Sequence, residues 1–367
     1  MRILSIVTLI SPLGEYGGPV RVAVNQAAAL VARGHEVTIV AATRGYGDTP
    51  PRQIEGIETR LFPARRLLPG RSFSGLGSPS LWRWVRAHGG DYDIAHVHAA
   101  RDFVTMPAAA IVKRGGTPYV LQTHGMVTPD RRAQVRLFDA LLGQRVLRQA
   151  QSVLHLTEVE RDEIARLGIA GPLHQVPNGV PEQDLAPAPS RPVVLYLARL
   201  APRKRPELFV EAARRIGRED VTWLMIGPDE GRGEAVTEAI GEARAAGIDI
   251  SWQGALAPSE TLAAMRAASI YVLPSVDEPF PMSVLEAMSV GLPVVVTQTN
   301  GLAYAVAESG AGAVVDHSPE ALTDAVARLL DDPEAALRAG RSGRDYVRER
   351  LDMSAIARRL EEVYVGS

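Results

Sequence analysis

Short runs of aliphatic and β-branched residues alternate with helical patterns from one end of the chain to the other. Parallel strands need a crossover of a dozen or more residues, usually a helix, so this order reads as parallel α/β. Residues 3–7 read as a buried strand, Gly17-Gly18-Pro19 as a glycine-rich loop, residues 20–33 as a helix stopped at Gly34, and residues 37–40 as a second buried strand. Together they make a βαβ unit. Further short strands are expected at 94–98, 119–122, 152–156 and 174–176. Residues 181–192 then break the rhythm with four prolines in twelve residues, the composition of an interdomain linker. The alternation restarts beyond them, with strands at 193–197, 222–226, 250–253, 270–273 and 293–297 and helices at 206–216, 236–246, 259–267 and 282–290. The expected fold class is therefore α/β, two doubly wound parallel-sheet lobes facing one central cleft. Two charged helical stretches, 333–349 and 354–364, are expected to cross back over the first lobe.

A chain of 367 residues exceeds one ordinary core and suits two domains. The apolar stretch at 3–13 is broken by Ser5, Thr8, Ser11 and Pro12, so it reads as a strand and loop rather than a signal peptide, and a cytoplasmic location is expected. The absence of cysteine excludes disulfide scaffolds, thiolate nucleophiles and cysteine-ligated zinc. A net charge of −2 conceals an asymmetry: residues 1–185 carry 21 Lys+Arg and 16 Asp+Glu, residues 186–367 carry 19 and 26. The basic first half would suit an anionic acceptor or peripheral association with a membrane, but ordinary surface charge variation is the preferred reading. The dense basic clustering of a nucleic-acid binder is missing. Residues 63–80, with Arg65, Arg66 and Arg71, form the least regular internal stretch and read as a solvated connector.

Gly17 and Gly18 stand where backbone N–H groups and a helix N-terminus let an anion approach, although the full dinucleotide fingerprint is missing. In the second half, Arg199 follows a strand and Lys204 precedes a helix. The chain has 38 arginines and two lysines, so a lysine kept between Arg203 and Arg205 suggests that a compact ammonium is required there. Both sit at the carboxyl end of a parallel strand, where open α/β sheets bind ligands, and both suit a diphosphate that gains charge as it leaves. Neither is read as packing in the core, so replacing either is expected to leave the fold intact. Glu278 lies just before a helix and Glu286 more than a turn inside it. Eight helical residues span about 12 Å, so the two are read as holding separate hydroxylated parts of one extended ligand rather than as a glycosidase pair. Phe280, Pro281, Met282 and Ser283 lie between them, where a helix start frees N–H groups for phosphate or sugar oxygens.

These motifs resemble the retaining glycosyltransferases of family 4. The similarity runs through the Gly17-Gly18 loop, Arg33-Gly34-His35-Glu36-Val37, Asp93-Ile94-Ala95-His96-Val97-His98, Gln122-Thr123-His124-Gly125, Val176-Pro177-Asn178-Gly179, Arg199 with Lys204, and Glu278 with Glu286. It implies the GT-B fold of two Rossmann-like lobes. Residues 1–185 would then be the acceptor-side domain, 186–345 the nucleotide-sugar domain, and 346–367 a helical segment packing back on the first. It further implies that Arg199 and Lys204 bind the donor diphosphate, Glu286 the ribose, Glu278 the transferred sugar, and Gly17 and Gly18 phosphate or acceptor, with His124 near the reacting centre. Pro279 replaces the glycine that many members carry after the first glutamate, which predicts a stiffer loop.

The expected reaction is transfer, with retention, of a sugar from a nucleotide-diphosphate donor to a hydroxyl-bearing acceptor. A UDP-sugar is the first expectation and GDP-mannose the second, with neither cofactor nor metal. The histidines at 96 and 98 alternate on one strand and read as packing or capping groups, His35 as a strand-entry residue, and Asp91-Tyr92-Asp93 as surface rather than a metal-binding D-x-D. The alternatives are a nucleotide-sugar epimerase or phosphorylase of the same architecture, or a two-lobed binder that performs no chemistry. A dehydrogenase is disfavoured by the incomplete fingerprint.

Overall fold

The computed structural model describes residues 1–12, 17–47, 49–68, 75–169, 171–187, 189–257 and 260–366. The chain divides into two compact units, Met1–Gly179 with Met353–Ser367, and Val180–Asp352. Part of the irregular stretch at 63–80, including Arg71, lies outside the described residues, as does the segment leading into Gly17.

The first unit contains strands β1 (Arg2–Ile10), β2 (Glu36–Thr43), β3 (Gln53–Ile54), β4 (Ile57–Pro63), β5 (Arg65–Arg66), β6 (Leu76–Gly77), β7 (Ile94–His98), β8 (Tyr119–Gln122), β9 (Ser152–His155) and β10 (Leu173–Gln175). Its helices are α1 (Gly17–Ala32), α2 (Pro79–His88), α3 (Thr105–Arg114), α4 (Ala133–Phe138), α5 (Gln144–Gln149) and α6 (Glu158–Arg166). Eight strands form one sheet in the order β10-β9-β8-β7-β1-β2-β4-β3, with only β3 antiparallel to its neighbour. β1 pairs with β2 on one side and with β7 on the other, so the winding reverses between β1 and β7. That reversal is a topological switch point, beside which open sheets hold their ligands. The helix α1 begins at Gly17, so Gly17 and Gly18 open its first turn instead of lying in a loop before it. β4 escaped the sequence reading because Arg60 and the acidic Glu58 interrupt its apolar run.

The second unit repeats the plan. Its strands are β11 (Val193–Leu197), β12 (Thr222–Ile226), β13 (Asp249–Trp252), β14 (Ile270–Leu273), β15 (Val294–Thr297) and β16 (Gly312–Val315), all parallel in the order β13-β12-β11-β14-β15-β16. This is the 3-2-1-4-5-6 order of a dinucleotide-binding sheet, with its switch point between β11 and β14. The helices are α7 (Pro206–Ile216), α8 (Gly233–Ala245), α9 (Thr261–Arg266), α10 (Met282–Ser289), α11 (Ala303–Ser309), α12 (Pro319–Asp331) and α13 (Pro333–Arg350). Most strands are buried on both faces, which is why they read as continuous apolar runs rather than alternating ones.

The last helix, α14 (Met353–Val365), belongs to the first unit. Its Met353, Ile356, Ala357, Leu360, Val363 and Tyr364 join the core formed by Ile3, Val7, Val24 and Ile39. Burial of a large apolar side chain contributes about 1.5–3 kcal/mol, so this face alone anchors the helix. A polar clamp fixes its register: Glu361 accepts from Arg33 at 2.7 Å through both oxygens and lies 2.8 Å from His35 Nε2. The Arg33 contact holds the Glu361 carboxyl down at about 2. Arg33 and His35, read from the sequence as part of a family signature, therefore serve to dock the end of the chain on the turn after α1.

Candidate active site

At the switch point of the second unit, two loops meet. The loop after β11 carries Arg199 and a short 3-10 turn, Pro202–Lys204; the loop after β14 carries Glu278. Val276 N–H donates to the Arg203 carbonyl at 2.8 Å and ties the loops together. Lys204 Nζ lies 2.7 Å from Glu278 Oε2, and Arg203 approaches Glu278 Oε1 at 3.4 Å. Lys204 is 7% exposed and Glu278 8% exposed. Burial pushes the Lys204 ammonium below its ordinary value, against the pull of Glu278 in the other direction. This corrects the expectation that Lys204 could be removed without consequence for the fold, because the lysine neutralises a buried carboxylate.

Arg199 is placed differently. Its guanidinium is partly exposed and lies 2.7 Å from both oxygens of Glu230, a residue of the loop after β12 that the sequence reading did not consider. Arg199 and Lys204, the two expected diphosphate ligands, are thus paired with different carboxylates, Glu230 and Glu278.

The backbone that presents Glu278 is held from a third loop. Asn300 pairs with Glu278 as an isolated parallel bridge, and Gly301 N–H donates to the Glu278 carbonyl at 2.7 Å. A Cβ on Gly301 would sit 1.7 Å from the Pro279 oxygen, so only glycine permits this approach. Asp277, immediately before Glu278, is left-handed at φ 49°, and its N–H is received by Thr299 Oγ1 at 3.0 Å. A non-glycine residue in that conformation costs of order 1–3 kcal/mol, which the Thr299 and Gly301 bonds offset. The Asn300-Gly301 dipeptide was the available signal for this support, since such pairs mark tight turns.

Pro281 is the N-cap of α10 rather than its first helical residue, and its side chain makes no capping hydrogen bond. Val284 N–H bonds the Pro281 carbonyl at 3.1 Å. Prolines 279 and 281 carry no N–H, which leaves Phe280, Met282 and Ser283 as the backbone donors of this entry. The Tyr271 hydroxyl, from β14, donates to the Leu197 carbonyl at 3.0 Å and meets the Ser283 hydroxyl at 2.7 Å, pinning the start of α10 to the end of β11. Glu286 lies half-buried inside α10.

In the first unit, His98 ends β7 beside the switch point and His124 follows the neighbouring β8. His98 Nδ1 lies 2.9 Å from His124 Nε2, and the rings stack at 5.1 Å and 10°. His96 stacks on His98 at 4.5 Å, and its Nδ1 lies 2.7 Å from the Tyr364 hydroxyl. His98 is buried, as expected of a packing residue, and the ring it packs against and bonds to is that of His124. Gln122 receives from Gln26 of α1 at 3.0 Å and donates to Asn178 at 3.2 Å, so two motifs separated in the chain and helix α1 form one buried network. Gly18 of α1 has open space where a Cβ would lie among the described residues, so packing does not demand a glycine there. Asp93 receives Arg2 N–H at 2.7 Å, a structural duty for the D-x-D aspartate.

Burial drives His96 and His124 down to about 3, and it drives His98 well below the ordinary histidine range. The unfolded chain therefore binds more protons than the native one between pH 6.5 and about 3, and stability falls as pH falls through that window. At pH 5 each such imidazole costs about 2 kcal/mol relative to pH 7.5, on the order of 1.4 kcal/mol per unit. Urea denaturation at the two pH values is expected to show this loss in the first unit's transition, and equal midpoints would contradict a buried neutral histidine stack.

Residues 17–179 match the family model described as "Glycosyl transferase 4-like domain", and residues 182–346 match "Glycosyl transferases group 1". The chain belongs to the glycosyl transferases group 1 family. A D-inositol 3-phosphate glycosyltransferase of Corynebacterium glutamicum is 30% identical over 232 residues, 59% of this chain and 54% of that protein. The chain thus spans about half the length of that curated relative. Sucrose-phosphate synthase from Thermosynechococcus elongatus superposes with a TM-score of 0.76 at 22% identity, covering 100% of this chain and 98% of that one. Anabaena HepE in complex with UDP and glucose superposes at 0.77 with 19% identity and full coverage of both chains. The fold is GT-B, two Rossmann-like sheets of eight and six strands. No helix among the described residues is long and apolar enough to cross a membrane.

Proposed function

We propose that this family member moves a sugar, with retention at the anomeric carbon, from a UDP-linked donor to a hydroxyl of an acceptor. The observation that carries the reading is the buried Lys204–Glu278 pair, set at the switch point beside an uncapped helix entry. A cation, free N–H groups and a carboxylate in one place match a ligand that is anionic at one end and hydroxylated at the other. In this reading Lys204 and Arg199 receive the diphosphate, and the Arg199 guanidinium exchanges part of its contact with Glu230 for phosphate oxygen. Glu278 accepts from hydroxyls of the transferred sugar, and Glu286 accepts from the ribose. Phe280, Met282 and Ser283 offer backbone N–H groups, and the α1 entry at Gly17 and Gly18 takes phosphate or acceptor. The neutral His124 imidazole sits near the sugar.

Spacing in the sequence marks no carboxylate as a covalent nucleophile. The reaction is therefore written as a front-face displacement: the departing phosphate oxygen takes the acceptor proton while the cations stabilise the separating charge. The UDP and glucose bound to Anabaena HepE support a uridine donor, with GDP-mannose as the second choice. A basic first half also supports peripheral membrane association.

Thermal shift against a panel of nucleotide sugars is expected to select UDP-glucose, with about 2.7 kcal/mol of stabilisation at 100 times its Kd. NMR of the transfer product is expected to show the donor's anomeric configuration. An inverted product, or selection of a non-uridine donor, would overturn the corresponding half of the reading.

A further inference from the structure

We infer that Glu160 is a positioning residue that holds His124 in place from behind, an inference that rests on the role proposed above for His124. The turn after β8 is demanding: His124 is left-handed at φ 52° and Gly125 follows at φ 70°. Glycine adopts this conformation freely, but histidine does not, so something outside the turn must hold it. Glu160, on α6 and 4% exposed, does so with one carboxylate. Its Oε1 receives the Thr123 hydroxyl at 2.5 Å and Gly125 N–H at 2.6 Å, the two neighbours of His124, while Oε2 receives Leu156 N–H at 2.7 Å. The imidazole is gripped at its other end by His98.

The chain around Glu160 has the sequence of an ordinary helix start, Thr157-Glu158-Val159-Glu160, in which the last glutamate would reach back to the N-cap N–H. Thr157 does cap, receiving Glu160 N–H at 3.2 Å. The Glu160 side chain is diverted. One oxygen serves the residue before the cap, and the other serves only the residues flanking His124, which are no part of α6. Capping alone leaves that second pair of bonds unexplained. The 2.9 Å contact between His98 Nδ1 and His124 Nε2 needs one ring to donate and the other to accept, so a turn held by Glu160 preserves the geometry on which that bond depends.

The test uses the full chain labelled with ¹⁵N in its histidines. In Glu160→Gln the side-chain amide cannot accept at both ends, so the His124 imidazole signals are expected to shift and broaden. Thr123→Val removes one bond, keeps the carboxylate, and is expected to produce a smaller change in the same direction; it also serves if Glu160→Gln does not fold. Unchanged His124 signals in a folded variant overturn the inference whatever the activity. With UDP-glucose as the donor, Glu160→Gln is expected to lower kcat about 10–100-fold with KM little altered, as for a misplaced group. Combined with His124→Ala it is expected to be no slower than His124→Ala alone. Losses that multiply would show that Glu160 acts independently of His124. Wild-type turnover by His124→Ala would defeat the proposed role of His124, while the NMR result would still decide whether Glu160 positions it.

Discussion

Lys204→Ala is expected to lower donor turnover by about 10²–10³-fold, the usual cost of removing one group that stabilises leaving-group charge. It is also expected to destabilise the second unit by about 3–5 kcal/mol, because it strands the buried Glu278 carboxylate that Lys204 meets at 2.7 Å. Arg199→Ala provides the contrast. Its ion pair with Glu230 is partly exposed on both sides, so its loss costs at most about 1 kcal/mol of stability while turnover still falls steeply. Paired measurements of kcat/KM and urea midpoint separate the two. A Lys204→Ala protein as stable as the parent would contradict the buried pair, and one as active as the parent would remove Lys204 from the donor site. Lys204→Ala,Glu278→Gln should recover part of the stability and none of the turnover, because the charge imbalance is relieved without restoring the cation.

Gly301→Ala is expected to be nearly as damaging, although residue 301 bears no chemical group. Its new Cβ would stand 1.7 Å from the Pro279 oxygen and 3.0 Å from the Glu278 oxygen, so the loop bearing Glu278 must move and the 2.7 Å bond from Gly301 N–H must break. A displacement of about 1 Å at a reacting group costs about 10²-fold, and the loss should appear in kcat/KM with UDP-glucose and in a smaller donor-induced thermal shift. Parental values in both measurements would mean that the Glu278 loop is not held from residue 301. Asn300→Ala, which keeps the glycine, should do much less harm.

The first prediction concerns residues whose chemistry was visible in the chain but whose partners were not; the second concerns a glycine that only its surroundings make important. The alternation of apolar runs and helical patterns was enough to predict parallel α/β, and β7, β8, β11, β12 and β14 begin and end where the apolar runs do. Strands buried on both faces must be continuously apolar, so their signal is local and strong. The weaker strands β4 and β16 were missed for the same reason: β4 is interrupted by charge, and β16 is a short stretch with an exposed Val314. Lys204, Glu278 and Glu286 could be singled out as candidates because a lone lysine among arginines and two spaced glutamates at a helix start are unusual patterns, and Arg199 because it follows a strand.

What the residues by themselves determined, then, was the class of fold, its repetition about a proline-rich break, and a cation and carboxylate set at strand ends. Only the tertiary structure decided that Lys204 belongs to Glu278 and Arg199 to Glu230, that His98 is the partner of His124, and that Glu160 and Gly301 support the turns beside them. The physical reason is range. Strand and helix signals arise from neighbours a few positions apart, whereas these contacts join residues 23 to 74 positions apart that the order of strands in each sheet brings together. Strand order is a property of the whole sheet, and no single segment of the chain carries it.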